Sequence, residues 1–181
     1  MIRVTLDQDS AWYLRALQRT CPRTMRAACG AAARRARRRF AKVMRSGGGV
    51  YGVGQFAPLS PVSTYIRPRQ RLGGVLADDR RIVMFKRSPD EQVIGWPDAL
   101  ARWAVLFQSA DTHPLTGTER AYFRWRRVPR DMRGETYSRP ERDVVDSFGA
   151  DLARDWPGMV NEMFQKYYMS RRARFGAGGV R

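Results

Sequence analysis

Apolar residues recur every three or four positions along MRAACGAAARRARRRFAKVM, at Met25, Cys29, Ala32, Ala36, Phe40 and Val43. That spacing keeps them on one face of an α-helix. Pro22 suits the first helical turn, where a missing N–H leaves nothing unpaired. Gly47-Gly48-Gly49 predicts the stop, because glycine takes the left-handed conformation past a helix end. Alternation predicts strands at Ile2, Val4 and Leu6, and over Arg120–Val128, where Ala121, Phe123 and Trp125 interleave with Tyr122, Arg124 and Arg126. Arg81–Lys86 and Gln92–Trp96 are β-branched and aromatic, and Ser88-Pro89-Asp90-Glu91 between them has turn chemistry. Together they predict a hairpin.

Three further helical patterns follow. Ala11–Arg19 turns Leu14 and Leu17 inward and has Asp9 or Ser10 as a candidate cap. Ala99–Ser109 places Leu100, Trp103, Ala104 and Phe107 at helical spacing. Pro140 opens a stretch with Val144, Val145, Phe148 and Leu152 in register. Pro157 is expected to break or kink it before Met159, Met163, Phe164, Tyr167 and Tyr168 continue. Val50–Ile66, with Pro58 and Pro61, reads as an extended segment docking Phe56, Leu59 and Tyr65. Arg67–Asp79, Ala110–Thr118 and Arg130–Arg139 read as loops. The fold class is α+β: a small antiparallel sheet packed against a long N-terminal helix and C-terminal helices. The expected organisation is a single domain over 1–170 and a basic flexible tail over 171–181.

Charge changes this picture. The chain has 181 residues, 43% hydrophobic, so it is long and apolar enough for a real core, yet its formal net charge is +17. Of 34 basic residues only Lys42, Lys86 and Lys166 are lysines. Arg34, Arg35, Arg37, Arg38 and Arg45 lie off the apolar face of the long helix, and Arg171, Arg172 and Arg174 stand near the C-terminus. They form a candidate electrostatic surface for DNA or an acidic partner, against the alternative of a merely solvated face. The Ala-rich stripe lacks the large side chains of a membrane-surface helix. No run approaches the roughly 18 apolar residues of a membrane span, and the first ten residues hold no apolar core of signal-peptide length. Two cysteines, Cys21 and Cys29, do not make a disulfide framework, which points to a reducing compartment.

Candidate chemistry is thin. His113 is the single histidine and has no nucleophile context, and two cysteines with one distant histidine do not make a zinc site. The glycines of GGGVYGVG follow a helix, whereas a phosphate loop precedes one. Pro89-Asp90 sits in the hairpin as in metal nucleases, but no Glu-x-Lys follows. No compact helix-turn-helix is visible. The expectation is a protein that is not an enzyme and needs no cofactor or metal.

The order of segments resembles a known family. An Arg-rich helix leads to Phe56-Ala57-Pro58-Leu59-Ser60-Pro61. Gly73-Gly74-Val75-Leu76 precedes a hairpin ending Val93-Ile94-Gly95-Trp96. An aromatic helix closes in Phe107-Gln108, and Ser138-Arg139-Pro140 opens the C-terminal helices. This resembles the phage virion-morphogenesis family, the tail-completion and head–tail joining proteins of tailed phages. Phe56–Thr64 is similar to that family's W-x-P-L-x-P-x-T, with Phe for Trp. Trp103–Gln108 is similar to Y-A-x-x-H-Q-x-G, with Phe107 for His and no Gly. Arg139-Pro140 matches the start of R-P-F-L-G.

The resemblance implies a structural virion protein that forms or completes a ring at the neck, hexameric or dodecameric, in the host cytoplasm during assembly. Its implied partners are other copies of itself, neighbouring neck or connector and tail-tube proteins, and genomic DNA non-specifically in the channel; no membrane is involved. A non-specific nucleic-acid-binding protein is the alternative. It is disfavoured here because Trp12, Trp96, Trp103, Trp125 and Trp156 are dispersed in core-like patterns and do not interleave with arginines as stacking platforms would.

Overall fold

The structure is a computed structural model describing residues 8–58, 60–66, 68, 74–86 and 92–176. The predicted strand at Ile2–Leu6, Leu59, the hairpin turn Ser88–Glu91 and residues 177–181 lie outside the described residues. Helices are α1 (Gln8–Thr20), α2 (Pro22–Ser46), α3 (Pro61–Ile66), α4 (Asp98–Gln108), α5 (Gly117–Trp125) and α6 (Val145–Gly176). Strands are β1 (Val83–Lys86), β2 (Gln92–Gly95), β3 (Asp111–Pro114) and β4 (Thr136–Arg139). The class is α+β, with a long N-terminal and a long C-terminal helix. The strands form two separate antiparallel pairs, β1 with β2 and β3 with β4, in place of one sheet.

Within the stretch read as one domain, residues gather into two compact units. The first comprises Met1–Phe40, Val83–Gly95 and Val145–Arg181, and the second Ala41–Ile82 and Trp96–Val144.

The first unit is built on α2. Ala28, Ala32, Ala36 and Phe40 are wholly buried, and Met25, Ala31 and Ala33 nearly so. The buried face is therefore wider than a single stripe. Phe40 packs on Phe148 of α6, with ring centroids 5.1 Å apart. Arg39 pairs with Asp155 at 2.6 Å and Arg35 with Glu162 at 2.5 Å. These contacts step forward along α2 and backward along α6, so the two helices run antiparallel. On α1, Leu14 is buried and Tyr13 Oη donates to Asn161 Oδ1 at 3.3 Å. The helix begins at Gln8, so Asp9 sits inside its first turn and neither Asp9 nor Ser10 is the cap. The hairpin pairs Val83 with Gly95 and Phe85 with Val93.

Of the break or kink expected at Pro157, the break does not occur, and α6 runs through the proline. A proline inside a helix costs about 3 kcal/mol and a glycine about 1, and Gly158 follows directly. Burial of Leu152, Met159 and Val160 on either side is worth roughly 1.5–3 kcal/mol each, and Arg39 and Arg35 hold positions 155 and 162 besides. Packing therefore outweighs propensity. Helix α6 also runs on to Gly176, into the stretch read as tail, because Arg, Ala and Phe over 171–175 offer no helix breaker.

The second unit begins where α2 ends. Gly48 N–H donates to the Val43 carbonyl at 3.0 Å, and Gly47 and Gly48 have φ of 78° and 85°. This is a Schellman stop. A Cβ on Gly48 would lie 2.0 Å from the Gly54 carbonyl oxygen, so only glycine fits. Phe56 N–H then donates to the Gly47 carbonyl at 2.7 Å, and its buried ring stands edge-on to Phe107 of α4 at 5.4 Å. The chain after it is helical over α3, not extended as the prolines suggested, because Pro61 occupies a first-turn position. Tyr65 is half-exposed and its hydroxyl donates to the Arg127 carbonyl at 3.1 Å. Part of the expected loop Arg67–Asp79 is a short 3-10 turn, Gly74–Ala77, with Leu76 and Ala77 buried. Trp96 Nε1 donates to the Leu76 carbonyl at 3.1 Å.

The faces of α2 are testable. Ala36→Asp buries a charge and is expected to cost about 3 kcal/mol or more. Arg38→Ala removes an exposed side chain and is expected to stay within about 0.5 kcal/mol. Urea unfolding of both variants checks this, and equal losses would put the buried face elsewhere.

Candidate interaction surface

The arginines singled out by charge are partly engaged in the fold. Arg35 pairs with Glu162, and Arg45, in the second unit, pairs with Asp79 at 3.3 Å. Arg37 is half-buried, while Arg34 and Arg38 are exposed. Arg171, Arg172 and Arg174 have helical backbone in α6, and their side chains lie outside the described residues.

A second basic surface, missed by the sequence reading, is built on α5. In place of the strand expected over Arg120–Val128 stands helix α5, Gly117–Trp125, none of whose residues is buried. Its start is a capping box: Glu119 N–H donates to Thr116 Oγ1 at 3.2 Å and Thr116 N–H donates to Glu119 Oε2 at 2.9 Å. The T-x-x-E signature was present in the sequence, and this local signal overrides the alternation behind it. The helix ends in a second Schellman stop. Val128 N–H donates to the Phe123 carbonyl and Arg127 N–H to the Arg124 carbonyl, both at 3.0 Å. Arg127 takes φ of 54° where glycine is usual.

The helix sorts its side chains by spacing. Arg120, Phe123 and Arg124 share one face. With Leu115, Arg133 and Glu135 they line a cleft of about 260 Å³. Arg120 Nε donates to the Leu115 carbonyl at 3.2 Å, and Arg133 Nε to the Val128 carbonyl at 2.7 Å. Among the described residues, Arg120, Arg124, Arg126 and Arg133 form no ion pair. The adjoining face carries Tyr122 and Trp125, ring centroids 5.8 Å apart, with the Arg126 guanidinium 5.5 Å from the Trp125 ring. Trp125 is 72% exposed.

This corrects the view of the tryptophans as core residues. Trp96 is buried, but Trp12 is 71% and Trp103 58% exposed. An exposed tryptophan occupying an apolar helical position is indistinguishable from a buried one by pattern alone.

Beside α5, β3 and β4 replace the loops expected at Ala110–Thr118 and Arg130–Arg139, with His113 opposite Tyr137 and Thr112 opposite Ser138. His113 Nδ1 lies 3.3 Å from Asp111 Oδ1, and Nε2 3.2 Å from Glu119 Oε1. The hydrogen bonds to Glu119 and then Asp111 raise the His113 pKa above its ordinary value, while bonds from Thr116 hold Glu119 low. Through these hydrogen bonds the cluster ties β3 to α5. Asp111 is also met by Arg139 at 3.5 Å. Asp90 of the nuclease-like Pro-Asp lies outside the described residues. Among the described residues, no three His, Cys, Asp or Glu side chains are grouped to hold a metal ion, and no helix is long and apolar enough to cross a membrane.

Another group of contacts joins segments distant in sequence. Phe107 at the end of α4 is covered by Phe56 on one side and by the Arg142 guanidinium, 4.8 Å from its centroid. Arg142 N–H donates to the Gln108 carbonyl at 3.0 Å, and Arg139 Nε to the Ser109 carbonyl at 3.2 Å. Burial lowers the Arg142 pKa.

Two outcomes are expected. Arg127→Gly relieves the left-handed conformation and should raise stability by about 0.5–1 kcal/mol in chemical unfolding. For His113, a raised folded pKa gives a contribution present below the ordinary 6.5 and lost as pH rises through the folded value. The depressed Glu119 gives one present above 4.5 and lost as pH falls through its folded value. The thermal gap between the native chain and His113→Gln should therefore be widest between those two values and close in alkaline buffer.

Comparison with known protein families, characterised proteins and solved structures finds no match for this chain.

Proposed function

We propose that this chain is a structural virion protein of a tailed phage, forming or completing a homo-oligomeric ring at the neck where the tail ends and meets the head. In this role it performs no catalysis, works in the host cytoplasm during assembly and ends in the virion. Its partners are its own copies, the neighbouring connector and tail-tube proteins, and DNA passing through the channel without sequence recognition. The observation that supports this reading most is the cluster around Phe107. The segments that carry the resemblance, Phe56-Ala57-Pro58, Phe107-Gln108 and Ser138-Arg139-Pro140, are far apart in sequence and contribute side chains or backbone to that one cluster. Exposed Trp and Arg on α5 add to it, since these residue types anchor protein interfaces.

One observation favours a second reading, a non-specific nucleic-acid-binding protein. Tyr122, Trp125 and Arg126 on α5 place aromatic rings beside arginine in the open, as single-strand binders do. Mass measurement of the purified protein, alone, with a candidate tail-tube protein and with DNA, separates the two. The neck reading expects a defined ring or a stable mixed complex. A monomer that associates only with DNA would replace it with the second reading.

A further inference from the structure

We infer that the cleft beside α5 docks an acidic segment of a partner protein, with one apolar side chain seated on Leu115 and Phe123 and neighbouring carboxylates held by Arg120, Arg124 and Arg133. The inference does not depend on the neck reading. Its occupant follows from charge complementarity. Three guanidiniums line the cleft, and none forms an ion pair among the described residues. Two of them are positioned in advance, Arg120 and Arg133, each holding a backbone carbonyl through Nε. A guanidinium so anchored keeps its remaining N–H donors for a carboxylate fork and loses less freedom on binding.

The cleft also selects against other anions. Glu135 stands among the arginines. A phosphodiester chain offers only acceptors and a charge at every step, so Glu135 repels it. A polypeptide has backbone N–H donors that satisfy Glu135 while its acidic side chains meet the arginines. The apolar floor of Leu115 and Phe123 gives one apolar side chain of such a segment a seat between the arginines. At about 260 Å³ the cleft falls below the ~300–1,000 Å³ of pockets that enclose small molecules, a size that suits individual side chains. Trp125 and Tyr122 on the adjoining face supply the exposed aromatic anchor typical of such interfaces.

The test is selection of short random peptides on phage particles against the full chain, followed by titration of the selected peptides and of a single-stranded oligonucleotide by fluorescence anisotropy. The expected result is enrichment of Asp or Glu next to a large apolar residue. Arg124→Glu should then weaken those peptides by about tenfold or more, while Arg38→Glu on α2, with the same change of charge, leaves them nearly unaffected. Both positions are exposed, so both variants should fold. Peptides without acidic enrichment, or equal losses in the two variants, would overturn the inference. So would an oligonucleotide that binds more tightly than the peptides and is lost on Arg124→Glu.

Discussion

The close approach that alanine permits along α2 is the constraint on which the first unit rests. A helix that buries Ala28, Ala32 and Ala36 completely has little side chain of its own to place between itself and its neighbours. Large groups from other elements fill the space beside these alanines, as Phe148 of α6 does against Phe40. Larger residues on that face would overpack it, and charged ones would be stranded. The same helix must also end at a fixed residue. The turn at Gly48 sends the chain back so that Phe56 reaches Phe107, and the second unit's core starts from that turn.

Much of this was legible in the sequence. Helix α2 declares its face, first turn and stop, and the hairpin strands declare themselves by composition. What was not legible has identifiable causes. In α5, alternation over a few residues imitates a strand, and only the Thr116–Glu119 cap distinguishes the two. Strands β3 and β4, DTHP and TYSR, carry no Val or Ile, and their pairing joins residues far apart in the chain. Helix α6 passes through Pro157-Gly158 because tertiary contacts override local preference, which no window of sequence contains.

The candidate surface was half legible for a related reason. Net charge announces that arginines matter but not which are already spoken for. The partners of Arg35 and Arg39 lie on α6, distant in sequence. A run of arginines thus reads as the obvious binding face, while part of it serves the fold. The arginines of α5 are fewer and less conspicuous, and they stand next to exposed rings and an apolar floor. Affinity for a partner depends on such neighbours more than on the number of charges.

Helix α6 can also be regarded as two hydrogen-bond ladders in series. Position 157 supplies no N–H, so the carbonyl of Ala153 loses the donor that a continuous helix would give it. Both halves are tied to α2, which pairs with Asp155 before that joint and with Glu162 after it. Helix α2, whose own interior holds no proline, acts as a splint. The longest helix among the described residues is thereby braced by another helix on both sides of its missing rung.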